Sequence, residues 1–206
     1  MKSVIGFLAL FFWGLVSRAE AVDFTPKHPP SSQASGSNMW MYADLSGYND
    51  SDSFSTSSTA SYSKIFYSLD VLFSLDKGTR LYGGVHGHQL SLSEKPATLT
   101  TTLNSTDLGA LLVMFLNDRK NFFISGGYNL SVSGQFTNGV TNSDLAGTSY
   151  QAALGCILEL TKDISLGLKW NYYNVNYTKS TTSGVSADVA YSRTITFPAI
   201  SLVWHN

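Results

Sequence analysis

Residues 122–136 alternate in polarity along their whole length. Phe122, Ile124, Gly126, Tyr128, Leu130, Val132, Gly134 and Phe136 fall on one face, and Phe123, Ser125, Gly127, Asn129, Ser131, Ser133 and Gln135 on the other. A period of two places successive side chains on opposite sides of a β-strand. One face of this strand is therefore apolar with aromatics at both ends, while the other is small and polar. Residues 65–75, 150–160 and 164–172 repeat the pattern, the last setting Ile164, Leu166, Leu168, Trp170 and Tyr172 against Ser165, Gly167, Lys169 and Asn171. Less regular strands are read at 39–48, 80–92, 103–117 and 189–204, which brings the number to eight. Residues 108–116 are almost uniformly apolar. Pro198 interrupts the last strand, whose apolar parity shifts there from Tyr191, Ile195 and Phe197 to Ile200, Leu202 and Trp204. A bulge near Pro198 would account for both features.

The connections alternate in length. Residues 76–79, 117–121 and 161–163 form tight charged turns, whereas 49–59, 93–102, 137–144 and 179–188 are longer and rich in Ser, Thr, Asn and Gly. Short turns at one end and long polar loops at the other is the layout of up-and-down barrels in bacterial outer membranes, with the tight turns periplasmic. An even strand number puts both termini on that side.

Alternation alone does not separate a membrane barrel from a soluble one, whose apolar residues point inward. Composition separates them. Charged residues make up 13% of the chain, equal to the aromatic share, where about a quarter charged is usual for soluble domains. The polar face is mostly Gly, Ser, Asn, Thr and Gln, which suits a narrow packed interior better than a wetted exterior. The apolar face carries Phe122, Phe136, Tyr150, Trp170, Tyr172 and Trp204, as an aromatic girdle would. In lipid every backbone group must be paired, so the sheet has to close. The expected fold is thus all-β: a closed, antiparallel, eight-stranded transmembrane β-barrel with up-and-down topology.

The N-terminus agrees with export. Met1-Lys2 precedes the apolar run VIGFLALFFWGLV at 4–16, and Ala19-Glu20-Ala21 follows as a small-x-small cleavage site. That run is short for a membrane span and reads as a secretion signal. Residues 1–21 are read as the signal peptide, cleaved near Ala21, and 22–37 as a Pro- and Ser-rich flexible periplasmic leader. The barrel domain then occupies 38–206. The single cysteine, Cys156, leaves no intrachain disulfide, and a net charge of -1 argues against a nucleic-acid partner.

An eight-stranded barrel encloses room for side chains only. The charged residues assigned to the lumen are Asp44, Lys64, Asp70, Asp107, Glu159, Lys169 and Arg193, and such groups are costly there unless paired. Counting up from the short turns gives two tiers: Asp44, Asp70 and Lys169 lie about five residues up, and Lys64, Asp107 and Arg193 about ten or eleven. The expected role is an ion-pair plug that fills the lumen and fixes register; a narrow channel for ions or small solutes is the alternative. His86 and His88, two residues apart on a strand, both enter the lumen. A metal site needs a third ligand, and none stands at diagnostic spacing. No catalytic residues, metal or cofactor are assigned. Matches to the glycosylation sequon at Asn49, Asn104, Asn129 and Asn176 are expected by chance in so Asn- and Ser-rich a chain and receive no function. Phe54 is the aromatic of the first long loop.

Signal peptide, dyad strands, turn asymmetry and a final strand ending Leu202-Val203-Trp204-His205-Asn206 together resemble the small outer-membrane barrels of the OmpA transmembrane-domain and OmpX type. The resemblance spans nearly all of residues 39–204 and is one of architecture. It implies a monomeric integral outer-membrane protein that contacts outer-membrane lipid, with a terminal aromatic strand read by the barrel-assembly machinery; here the aromatic stands two positions before the end. Some members of that class modify lipid A with a His and a Ser at the outer rim, and no local motif of that kind is present.

Overall fold

A computed structural model describes residues 39–48, 61–75, 80–95 and 100–206. The segments read as signal peptide and leader, Phe54 and the turn 76–79 lie outside the described residues.

Eight strands follow one another: β1 Met39–Tyr48, β2 Ser61–Ser74, β3 Leu81–Lys95, β4 Thr101–Phe115, β5 Phe122–Thr137, β6 Asn142–Glu159, β7 Ile164–Thr182 and β8 Val185–His205. Each pairs antiparallel with its sequence neighbours, and β1 pairs with β8 to close the ring. The seam runs from Trp40 opposite His205 to Leu45 opposite Ile200, and backbone bonds between Met39 and Asn206 extend it to the last residue. The all-β, up-and-down closed barrel expected from the alternation is the fold observed.

The connections differ from the sequence reading. Residues 179–188 are mostly strand, and half of 137–144 is strand too, so neither is a long loop. Gly139 at φ 79° turns the chain between β5 and β6, while Asn138 Oδ1 accepts from the amides of Val140 and Thr141. Ser183 and Gly184, at φ 52° and 81°, form a two-residue turn between β7 and β8, the positive-φ pair that best matches strand twist. These polar stretches lack alternation because both of their faces are open to solvent, so nothing in them had to be apolar.

The interior has three layers. At the short-turn end Trp40, Tyr42, Leu72, Tyr82, Leu111, Val113, Phe115, Phe123, Ile157 and Val203 form a buried apolar floor. At the opposite end Phe66, Leu90, Leu92, Leu103, Val132, Tyr173, Val175, Tyr177, Ile195 and Phe197 form an apolar roof. Buried polar residues, among them Asp44, Ser68, Asp70, His86, His88, Asp107, Asn129, Ser149 and Lys169, lie between them.

This layering explains two irregularities and corrects two expectations. Residues 108–116 are uniformly apolar because Leu111, Val113 and Phe115 build the floor while Leu108, Leu112, Met114 and Leu116 face outward. Near Pro198 the ladder is regular, with Trp170 opposite Pro198 and Asn171 opposite Phe197, so no bulge is present there. The parity changed because Ile195 and Phe197 belong to the roof. Pro198 stands two residues beyond the last β1–β8 pair, at a local edge where a ladder tolerates proline. A bulge lies instead in β5, where Leu130 is extra against both neighbours, and the β7 ladders shift register again around Thr178. The Leu130 bulge reverses the facing of β5, so Val132 and Phe136 pack in the roof and Phe136 is not a girdle aromatic.

Candidate functional site

The middle layer is built by register. The β2–β3 ladder sets Asp70 directly across from His86, and the β3–β4 ladder sets His88 directly across from Asp107. Both histidines share the inward face of β3 because residues two apart on a strand do. His86 Nδ1 meets Asp70 Oδ1, His86 Nε2 lies 2.8 Å from His88 Nδ1, and His88 Nε2 lies 3.3 Å from Asp107 Oδ2. Phe66 and Tyr173 pack on the His88 ring, with centroids at 5.1 and 4.8 Å.

Each carboxylate has further partners. Asp107 accepts from Ser105 at 2.8 Å, from Tyr173 at 2.7 Å and from Ser149, whose hydroxyl also accepts from Asn129 at 2.8 Å. On the other side Lys169 Nζ crosses the lumen to Asp44 at 2.7 Å and Asp70 at 3.3 Å, passing 4.4 Å from the centre of the Tyr42 ring. Ser68 donates to Asp44 at 2.8 Å. Gly155 lies opposite Lys169 in the ladder, and a Cβ there would run into the edge of the Phe123 ring. The result is one connected polar belt, Asn129–Ser149–Asp107–His88–His86–Asp70–Lys169–Asp44–Ser68, with members on β1 through β7. Buried charges are tolerable when paired and hydrogen-bonded in this way.

Among the residues assigned to the lumen, Asp44, Asp70, Asp107, Lys169, His86 and His88 come together in this belt. The two tiers do not appear as expected: Asp107 belongs with the histidines and not with Lys64 and Arg193. Those two lie at roof level, Lys64 opposite Leu92 and Arg193 opposite Val175. Glu159 keeps the inward parity of β6 but is exposed at its end, outside the belt.

Two interior charges escaped the sequence reading. Glu94 is buried at 1% exposure because β3 continues inward through Leu90 and Leu92 into a stretch read as loop. The even parity of Leu90, Leu92 and Glu94 was the available signal. Lys120, in a stretch read as a tight charged turn, takes a positive φ of 54° that folds it under the floor, where Nζ donates to the Tyr82 hydroxyl at 2.6 Å. Nothing in the turn's composition signals this.

No family model matches the sequence, and no curated protein matches it either. Among solved structures the chain is similar to the translocator domain of the autotransporter NalP from Neisseria meningitidis, at 11% identity and a TM-score of 0.42, over 97% of this chain and 71% of that one. The closed eight-stranded ring rests on the strand registers above and not on this likeness.

Proposed function

We propose that this chain is an integral bacterial outer-membrane β-barrel protein whose lumen is filled by its own side chains, and that its role is structural or one of surface interaction. The observation that carries this reading is inverted polarity. Leu45, Leu69, Leu108, Leu112, Leu154, Leu168 and Leu202 stand 53–63% exposed around the ring, while Asp44, Asp70, Asp107 and Lys169 are buried inside it at 1–7%. A water-soluble domain does the reverse.

The apolar belt on the outer wall has membrane dimensions. On β7 it runs from Ile164 to Tyr172, about nine residues, which at about 3.3 Å per residue and a tilt of about 40° gives roughly 20–25 Å of height. Tyr67, Tyr128, Tyr150 and Tyr172 mark its upper margin, with Tyr128 opposite Tyr150 and the Tyr150 and Tyr172 rings 6.1 Å apart. Phe73, Phe122 and Trp204 mark the lower margin. Above the Tyr row the β5–β6 and β7–β8 hairpins carry polar residues on both faces, which makes them the surface available to an extracellular partner.

The filled interior supports a non-conducting, non-enzymatic reading. Floor and roof both interrupt a polar path through the lumen. His86 and His88 lie between those layers at 2% and 4% exposure, away from any rim where a lipid substrate could reach them. Outer-membrane lipid against the belt and the barrel-assembly machinery acting on β8 are the partners this reading requires, and the closed ring is complete as a monomer.

Quenching by brominated acyl chains tests the membrane placement. Variants retaining either Trp170 or Trp40 as the barrel's one tryptophan are folded into lipid vesicles. Trp170, 58% exposed on the outer wall, is quenched strongly, and Trp40, 2% exposed in the floor, is not. Equal quenching of the two, or none of either, overturns the proposal.

A further inference from the structure

The outer wall of β7 and β8 turns polar at the Tyr row. Asn174, Asn176, Ser192 and Thr194 stand at outward positions, because Tyr173, Val175, Tyr177 and Ile195 between them pack in the roof. The ladders set Asn174 between Tyr150 of β6 and Thr194 of β8, and Asn176 opposite Ser192. Asn174 is only 7% exposed although it faces away from the lumen. Its Nδ2 donates to Thr194 Oγ1 at 2.7 Å and to Ser192 Oγ at 3.5 Å, and its Oδ1 accepts from Asn176 Nδ2 at 3.0 Å. The Tyr150 and Tyr172 rings border this group, 6.1 Å apart and inclined at 32°. We propose that the patch binds the sugar headgroup of a membrane glycolipid. It rests on the membrane placement argued above and assigns a ligand chemistry to one sector of the wall.

The hydrogens decide what the patch can take. A hydroxyl has one hydrogen and two lone pairs. In Ser192 and Thr194 the Asn174 amide occupies a lone pair, so each keeps its hydrogen for a second partner. Asn176 spends one amide hydrogen on Asn174 and keeps the other together with its Oδ1. The rim therefore offers two O–H donors, one N–H donor and a carbonyl acceptor, all oriented by one buried amide. Sugar hydroxyls, each donor and acceptor at once, match such a mixed set, and the Tyr rings offer apolar faces to the C–H side of a pyranose. None of the six side chains is charged, so a phosphate would find no cation among them. Across the barrel, Ser91 and Asn104 stand at the same height above Tyr67, but Ser91 donates its hydrogen to Asn104 Oδ1 at 2.7 Å and that pair is closed on itself.

The wall beneath the patch argues for a lipid-borne sugar. Leu154 of β6 lies opposite Trp170 of β7, and with Leu168 these residues are 54–59% exposed. Tyr side chains occupy the headgroup level of a bilayer, so a headgroup held among them leaves its acyl chains lying along that apolar strip. A free glycan would engage the polar patch alone. A glycolipid engages both surfaces, and its confinement to the membrane raises its effective concentration at the site.

Native mass spectrometry of the full-length barrel folded in detergent micelles tests the site. The probes are lipid A, whose headgroup is a phosphorylated glucosamine disaccharide, and cardiolipin, which carries two phosphates and no sugar, added in equal amounts. The barrel is expected to retain a single lipid A in preference to cardiolipin. Thr194→Val with Asn176→Leu should weaken that retention about tenfold, the scale of two lost hydrogen bonds. Ser192→Ala should act in the same direction, and Asn104→Leu on the opposite wall should leave retention unchanged. Equal retention of the two lipids, or a preference that survives the double substitution, overturns the proposal. So does retention of the acyl-free glucosamine disaccharide as firmly as lipid A, which would make the occupant a free glycan. Bromine quenching of Trp170 reports the membrane placement separately, so failure of the site and failure of that placement are distinguishable.

Discussion

Lys169 and Asp44 are 125 residues apart in the chain, on β7 and β1, and their side chains meet at 2.7 Å across the lumen. The contact bridges the barrel behind the β1–β8 seam and ties the first strand to the second-last. Lys169 also serves Asp70, so one ammonium satisfies two buried carboxylates. Its removal leaves both without a cation.

Lys169→Met is therefore expected to destabilise the barrel by about 3–5 kcal/mol, the cost of breaking a buried ion pair on one side. Adding Asp44→Asn and Asp70→Asn should restore most of the loss, because neither position then carries a charge that Lys169 must neutralise. Equilibrium urea unfolding in lipid vesicles measures both. A triple variant no more stable than Lys169→Met would show that the charges themselves are not what the layer depends on.

Tyr173→Phe removes one donor from Asp107 and leaves the ring in the roof. A hydrogen bond to a charged group contributes about 1.5–3 kcal/mol, and the same unfolding experiment should show a loss in that range. Little change would mean that Ser105 and Ser149 suffice to hold Asp107.

Gly155→Ala pushes a methyl against the Phe123 ring and to 3.0 Å from the Leu168 carbonyl oxygen. Overpacking of this kind costs about 1–3 kcal/mol. Phe123→Leu in the same chain should relieve part of it, so the double variant is expected to lose less than the two single losses combined. Strict additivity would contradict the contact.

The outer wall predicts a dependence on depth. Leu168, at the middle of the apolar belt of β7, is 54% exposed, and Leu168→Arg should cost about 2–4 kcal/mol in vesicles. Ala187→Arg, near the exposed tip of the β7–β8 hairpin, should fall within about 0.5 kcal/mol of the parent. Equal effects at the two depths would argue against a lipid belt.

The strands with one apolar and one small polar face, such as 164–172, were legible because an apolar outer wall and a polar layer inside place opposite residue types at alternate positions. The same rule misled at both ends of the lumen. Where the interior is itself apolar, alternation fades, as along 108–116, or reverses, as at Ile195 and Phe197. The Leu130 bulge left no trace in composition, so Phe136 was assigned to the wrong side. Above the belt, where neither face of the β5–β6 and β7–β8 hairpins is constrained, strand and loop read alike; Glu94 was missed because its inward parity runs on into residues read as loop. For the belt itself, the inward parity of Asp44, Asp70, His86, His88, Asp107 and Lys169 could be read from the chain. Their mutual distances could not, because they depend on the stagger between strands.

The most direct test of the account is the conductance of the refolded wild-type barrel in a planar bilayer. With the Trp40, Tyr82 and Phe115 floor below the polar belt and the Phe66, Tyr173 and Phe197 roof above it, the protein is predicted to insert without producing current steps. Steady, ion-selective openings would contradict the sealed lumen.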